Sequence, residues 1–148
     1  MKIAIASDHA GFEQKELIAK YLKGSGYDVV NLGPENDSRV DYPDYAERVA
    51  EAVSRGCTER GILVCGTGIG MAISANKIKG VRAANVTSAE FAKLSREHNN
   101  ANVLCLSGRF VSIEENINCV ETFLRTEFAG GRHEGRVKKM MALEKTDD

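Results

Sequence analysis

The segment Gly61-Ile62-Leu63-Val64-Cys65-Gly66-Thr67-Gly68-Ile69-Gly70 decides the fold class of this chain. Its first half is a continuous apolar run, which is typical of a strand that is buried on both faces. Its second half has a glycine at every other position, and a helical pattern begins near Ile69. A buried strand that passes through a glycine-rich turn into a helix predicts an α/β fold with helices on both faces of a parallel sheet.

The same alternation of apolar runs and helix-period segments extends along the whole chain. Four further strands are predicted at 3–6, 27–32, 81–86 and 103–106. The predicted helices lie at about 12–23, 45–53, 69 onward, 89–96, 113–126 and 135–145. Five parallel strands fit the doubly wound, Rossmann-like order 2-1-3-4-5, in which the winding reverses between strands 1 and 3. We therefore predict one domain over residues 1–148, with its last helix packed on a partner subunit and its ligand crevice at this reversal.

Composition limits the classes of function. The 148 residues contain 20 Lys plus Arg and 21 Asp plus Glu, so no overall field favours nucleic acid or an anionic membrane. No apolar window approaches a membrane-spanning length, and the start lacks the apolar stretch of a signal peptide. The four cysteines have no C-x-x-C spacing and are expected to be free thiols in a reducing compartment, the cytoplasm.

Two polar clusters follow the strands that border the predicted crevice, namely Ser7–Gly11 and Cys65–Gly70. Glycines at 66, 68 and 70 let backbone N–H groups approach an anion such as a phosphate or an enediolate. The loop lacks the lysine of a Walker A motif, the third glycine of a dinucleotide fingerprint and the arginine of a cysteine phosphatase. The sequence therefore predicts an anion-binding loop of another kind.

Cys65, Asp8 and His9 each have two interpretations. Cys65 could be a small apolar filler, as is expected of Cys105, or a reactive thiol, because it precedes a helix and faces the crevice. Asp8 and His9 could be catalytic groups or only the cap of the first helix. The sequence pattern leaves both alternatives open.

His98 precedes the fifth strand and is therefore predicted at the amino end of the sheet, away from Cys65. Alone it could be a surface helix end. If it acts on the same substrate as Cys65, it must come from a neighbouring subunit, and catalysis would require a dimer.

Arginines near the end of the chain are phosphate-binding candidates. Arg132 and Arg136 are four residues apart and share a helix face, although simple solvation is an equal alternative. Arg109 follows the fifth strand and joins them as a candidate. His133 is predicted to point elsewhere and has no assigned role.

Six motifs, in this order, resemble ribose-5-phosphate isomerase type B, a family that also contains the subunits of galactose-6-phosphate isomerase. They are Ser7-Asp8-His9-Ala10-Gly11, Asp41-Tyr42-Pro43, Cys65-Gly66-Thr67-Gly68-Ile69-Gly70-Met71, Ala75-Asn76-Lys77, Ser95-Arg96-Glu97-His98-Asn99 and Gly130-Gly131-Arg132-His133. One such motif is weak evidence, whereas six over nearly the whole chain are specific.

The resemblance implies a metal-free and cofactor-free aldose–ketose isomerase of the pentose phosphate pathway, active as a homodimer or a tetramer. It implies that Cys65 moves a proton between sugar carbons 1 and 2 through a cis-enediolate, assisted by Thr67. His98 and Asp8 would open the sugar ring. The implied substrate-binding residues are His9, Tyr42, Gly66, Gly68, Ile69, Gly70, Asn99, Arg109, Arg132 and Arg136.

Three hypotheses about the function remain open at this point. The first is ribose 5-phosphate, the second is a six-carbon substrate such as allose 6-phosphate or galactose 6-phosphate, and the third is a non-catalytic sugar-phosphate-binding domain. Ala72 departs from the family pattern, because relatives commonly have a serine there. A hydroxyl donor to the oxyanion is therefore absent, and backbone donors remain.

Overall fold

Strands and helices alternate along the chain as the apolar pattern predicts. The structure, a computed structural model, describes residues 1–145; positions 146–148 of the predicted domain lie outside the described residues. The elements are β1 Lys2–Ser7, α1 Phe12–Gly24, β2 Asp28–Asn31, α2 Tyr42–Ser54, β3 Arg60–Cys65, α3 Ile69–Ala75, β4 Ala83–Asn85, α4 Ala89–Asn99, β5 Val103–Ser107, α5 Ile113–Arg125 and α6 Arg132–Met141.

All five strands pair in parallel and form one sheet with helices on both faces. Side chains such as Leu22 of α1 and Phe123 of α5 fill the core on one face, where α4 also packs. Val49 of α2 and Met71 of α3 fill the core on the other face. The predicted Rossmann-like α/β class is confirmed.

The predicted strand order 2-1-3-4-5 is wrong at one edge, because the observed order is β2-β1-β3-β5-β4. Every residue of β5 is buried, whereas β4 has only three residues, all at least partly exposed. The more apolar β5 therefore takes the interior position and β4 forms the edge. The reversal between β1 and β3 is unaffected, so the two polar clusters of the sequence follow neighbouring strands, and the ligand crevice between them stays a prediction.

Asn76 completes the hydrogen bonding of the edge strand β4. Its Nδ2 donates to the Ala83 carbonyl at 2.9 Å, and its Oδ1 accepts from the Ala83 N–H at 2.8 Å. Unpaired groups on an edge strand invite pairing with other chains. The Asn76 carboxamide therefore closes part of this edge, which gives the Ala75-Asn76-Lys77 motif a structural role.

The last helix, α6, begins earlier than predicted. It covers Arg132–Met141 and not 135–145, because Gly130 and Gly131, with φ of 66° and 55°, make the turn that precedes it. Val137 is the one buried residue of this helix. The packing of α6 on a partner subunit stays a prediction.

Within residues 1–145, no helix combines the length and the apolar character needed to cross a membrane. All four cysteines are free, as predicted.

Candidate active site

Asp8 lies in the turn between β1 and α1, at the carboxyl end of the sheet. Its N–H donates to the Val64 carbonyl at 3.2 Å, and its Oδ1 accepts from the Gly11 N–H at 3.0 Å. Gly11 is required here because a Cβ would collide with the Val64 carbonyl. Asp8 therefore closes the turn that precedes α1, but it does not cap the helix, because the N-cap of α1 is Gly11 and no side chain caps this end. The interpretation of Asp8 as a helix cap is therefore wrong, and the residue is held in a position where only 7% of it is exposed.

His9 is half-buried and is oriented by the long connection between β2 and α2. Its Nδ1 lies 3.3 Å from both the N–H nitrogen and the carbonyl oxygen of Val40. The start of this connection is fixed by the buried Lys15, whose Nζ donates to the Pro34 carbonyl at 2.6 Å and to Asn31 Oδ1 at 3.2 Å. Because the connection occupies Nδ1, Nε2 is the ring nitrogen that a ligand can use.

Cys65 ends β3, the strand that pairs with β1, and only 5% of the residue is exposed. Its Sγ accepts a hydrogen bond from the Gly68 N–H at 3.1 Å. Gly68 reaches this position with a φ of 85°, a conformation that other residues rarely adopt.

Cys105 provides the contrast. It is completely buried within the core between the sheet and α2 and α3. Burial raises the pKa of the Cys105 thiol strongly, and proximity to Cys65 raises it further. Cys105 therefore remains a neutral apolar filler, which is the role that the sequence predicted for it.

The glycine loop already uses two of its N–H groups internally. The Gly68 N–H binds Cys65 Sγ, and the Ile69 N–H donates to Thr67 Oγ1 at 3.1 Å. An oxyanion that binds these two groups would therefore share or replace internal acceptors. Thr67 is itself exposed and lies two residues after Cys65 in the sequence.

Tyr42 and Arg109 border the loop from two sides. Tyr42 lies against Gly70, where a Cβ would stand 2.5 Å from the Tyr42 Cε1 atom. The guanidinium of Arg109 lies over Gly66, where a Cβ would stand 3.4 Å from Nη1. The Arg109 N–H also donates to the Gly66 carbonyl at 3.2 Å. The structure thus brings both side chains to the loop that holds Cys65.

Asn85 is a residue of this site that the sequence analysis did not assign. A Cβ on Gly68 would stand only 2.5 Å from Asn85 Oδ1, so this amide packs directly against the loop. Its position at the carboxyl end of β4 was the available signal.

A second group of predicted residues gathers at the opposite end of the sheet. His98 and Asn99 end α4, and the α6 residues Arg132 and Arg136 are exposed nearby. The prediction that His133 points away from this group is wrong. Its ring stacks on His98, with centroids 4.3 Å apart and planes 16° from parallel. Burial lowers the pKa of His133, as do the positive charges of His98, Arg132 and Arg136, against an opposing effect of Glu97.

The two groups cannot meet within one chain. Cys65 lies at the carboxyl end of β3, whereas His98 precedes the amino end of the neighbouring β5. From Val103 to Ser107 alone a strand rises about 13 Å, at roughly 3.3 Å per residue. The separation that the sequence predicted for Cys65 and His98 is therefore present.

A search for metal ligands gives a negative result for the described part of the chain. Among residues 1–145, no three His, Cys, Asp or Glu side chains are grouped so that they could hold a metal ion.

Comparison with known proteins identifies close relatives. Residues 3–140 match the family described as Ribose/Galactose Isomerase. A probable ribose-5-phosphate isomerase B of Mycoplasma genitalium is 50% identical over 145 residues, covering 97% of this chain and 95% of that protein. Ribose-5-phosphate isomerase B of Escherichia coli is 43% identical over 143 residues, covering 97% of this chain and 96% of that protein.

Solved structures agree over the same length. Ribose-5-phosphate isomerase B of Clostridium thermocellum superposes with a TM-score of 0.96 at 49% identity, covering 97% of each chain. The Mycoplasma genitalium enzyme with bound ribulose-5-phosphate superposes with a TM-score of 0.94 at 49% identity, covering 99% of this chain and 97% of that one.

Proposed function

Because the chain belongs to the ribose/galactose isomerase family, it is a sugar-phosphate isomerase, and we propose that it interconverts ribose 5-phosphate and ribulose 5-phosphate. The observation that supports Cys65 as the base is the position of its sulfur beside the glycine loop, where it accepts a hydrogen bond from the Gly68 N–H at 3.1 Å. The bound ribulose-5-phosphate of the Mycoplasma genitalium relative supports a pentose phosphate as the substrate.

The proposed reaction moves one proton between two carbons of the open-chain sugar. The Cys65 thiolate takes the proton from carbon 2 of ribose 5-phosphate, and the electron pair of that bond forms the cis-enediolate. The Cys65 thiol then returns the proton to carbon 1, which gives ribulose 5-phosphate. Thr67, next to the thiol, assists the transfer between the two sugar oxygens.

The negative charge of the enediolate is met by backbone donors of the loop from Gly66 to Gly70. A preorganised donor of this kind contributes about 3 to 4 kcal/mol of transition-state stabilisation. The loop has no side-chain hydroxyl at Ala72, so its donors are backbone groups and Thr67. We propose on this basis that catalysis is independent of a metal ion.

In this proposal, the side chains that bind the phosphate and those that open the sugar ring come from two subunits. The end of the sheet that carries the thiol supplies Asp8 for ring opening, His9 and Arg109 for the phosphate, and Tyr42 for the substrate. The group at the opposite end of the sheet belongs to a second copy. That group supplies His98 for ring opening, Asn99 for a sugar oxygen, and Arg132 and Arg136 for the phosphate. Its exposed arginines and the stacked His98 ring favour this role.

We propose that the enzyme works as a homodimer in the reducing cytoplasm, in carbohydrate metabolism. A reactive thiol at Cys65 requires a reducing compartment, and the four free cysteines are compatible with one.

The deciding experiment compares initial rates on ribose 5-phosphate, allose 6-phosphate and galactose 6-phosphate, each with and without a chelator. We expect the highest kcat/KM on ribose 5-phosphate and no change on chelation. A higher kcat/KM on a six-carbon substrate would replace the proposed substrate. Loss of activity on chelation would remove the metal-free mechanism, and binding without turnover of any substrate would indicate a sensing domain.

A further inference from the structure

Two amide side chains, one buried and one half-buried, meet behind the loop that carries Arg109. Gln14 lies on the first turn of α1, and Asn116 lies on the first turn of α5. Asn116 is completely buried and Gln14 is half-buried. Neither residue belongs to the groups that surround the thiol.

The two amides bind each other and hold the loop 107–111 at three points. Asn116 Nδ2 donates to Gln14 Oε1 at 2.6 Å and to the Ser107 carbonyl at 2.8 Å. Gln14 Nε2 donates to the Val111 carbonyl at 2.8 Å and to the Gly108 carbonyl at 3.3 Å. Helices α1 and α5 are thereby joined to both ends of this loop.

The loop in turn holds the peptide that follows the thiol. Ser107 Oγ donates to the Gly66 carbonyl at 2.7 Å. The Gly108 N–H donates to the Cys65 carbonyl at 2.8 Å, and the Arg109 N–H donates to the Gly66 carbonyl at 3.2 Å. A continuous set of hydrogen bonds thus runs from the two amides to the place where the Arg109 guanidinium lies over Gly66.

Stability alone does not account for a buried amide pair. Asn116 Oδ1 is buried and has no hydrogen-bond partner among residues 1–145. Such an unsatisfied acceptor is costly, and two apolar side chains of similar shape often replace a buried polar pair without loss of stability. A fixed loop position is what the pair provides and an apolar pair would not.

We propose that Gln14 and Asn116 are positioning residues, which set the place of Arg109 and of the Gly66 peptide by anchoring the loop 107–111. The consequence for activity rests on the proposed function, in which Arg109 binds the substrate phosphate. Anchoring of the loop itself does not depend on that function.

The test replaces both amides by leucine, as Gln14→Leu with Asn116→Leu. We expect an unchanged or higher Tm, faster amide hydrogen exchange at Gly108 and Arg109, and a smaller fold-change in kcat than in KM. KM for ribose 5-phosphate should rise about fivefold or more, as should the inhibition constant of inorganic phosphate. Asn118→Leu is the matched control, because Asn118 is exposed on the same helix, and it should behave as wild type.

Unchanged hydrogen exchange at Gly108 and Arg109 in the folded double variant would overturn the proposal. So would an unchanged KM in an active enzyme. If the double variant does not fold, Gln14→Met decides by the same two criteria, because methionine keeps the chain length and removes the bonds to Gly108 and Val111. A wild-type protein without isomerase activity would refute the proposed function, and hydrogen exchange would then decide on the anchoring alone.

Discussion

Cys65 and Cys105 belong to the same core cluster, yet their thiols have different surroundings. Cys105 is enclosed by apolar side chains, and its raised pKa keeps the proton on sulfur. Cys65 ends its strand beside the glycine loop, with a backbone donor at its sulfur. A difference of a few ångströms along two neighbouring strands therefore separates a structural cysteine from a candidate base.

We expect Cys65→Ala to abolish isomerisation while inorganic phosphate still binds, because the thiol acts in proton transfer and not in anchoring. Turnover on ribose 5-phosphate and calorimetric titration with phosphate measure the two properties. Cys105→Ala is the control: we expect it to keep turnover and to lower the free energy of unfolding by about 1 kcal/mol through lost packing. Normal turnover in Cys65→Ala would refute the assigned base.

The sequence predicts the position of some residues of this site and not of others. Cys65, Asp8 and Arg109 were predictable because parallel strands place the residues that follow them at one end of the sheet. Asn85, Gln14 and Asn116 were not, because their contacts depend on the distance between elements that are far apart in sequence. His133 was misplaced because its helix begins at Arg132, which changes the face on which each side chain lies.

At the scale of elements, the contact between α4 and α6 depends on a stacked pair of titratable rings. Because the pKa of His133 is lowered in the folded protein, this side chain is protonated at a lower pH than in the unfolded chain, where it is protonated near pH 6.5. Between the lowered folded value and 6.5 the unfolded state binds more protons, so the free energy of unfolding decreases as pH falls through this window.

His133→Phe keeps an aromatic ring against His98 and removes the titration. We therefore expect wild type to lose more stability than His133→Phe when the pH falls from about 7 to about 5. Urea unfolding of both proteins at these two pH values measures the difference. Equal losses in the two proteins would show that the pair does not resist protonation.

Element types were predictable from the apolar period, whereas element positions were less so. The runs at 81–86 and 103–106 both indicate strands, and nothing in their local sequence states which lies between the other and β3. Burial decides this order, because the fully buried β5 gains more from an interior position than the short β4. Such competition between two segments becomes visible only when the whole sheet is assembled.

At the scale of the whole molecule, one subunit holds two incomplete halves of the proposed site. The residues around Cys65 are at the carboxyl end of the sheet, and the residues around His98 are at the amino end. A symmetric dimer places the same two surfaces in contact twice, so each pair of subunits would form two complete sites.

Mixing inactive Cys65→Ala chains with inactive His98→Ala chains should restore activity, because each mixed dimer then contains one site with both residues intact. Random exchange gives about a quarter of the wild-type rate, since half of the dimers are mixed and each has one working site of two. Native mass spectrometry confirms that mixed dimers have formed. If mixed dimers are present and remain inactive, the thiol and the histidine do not act across the interface.

In the proposed shared site, the distance between Cys65 and His98 also makes the catalytic rate depend on protein concentration. Below the dissociation constant of the dimer, specific activity should fall in proportion to the fraction of associated chains, even though every chain remains folded. A sugar phosphate that contacts both subunits would oppose this dilution, because a ligand that binds only the assembled state stabilises it by mass action. Substrate supply would then regulate the quaternary state of the enzyme as well as its turnover.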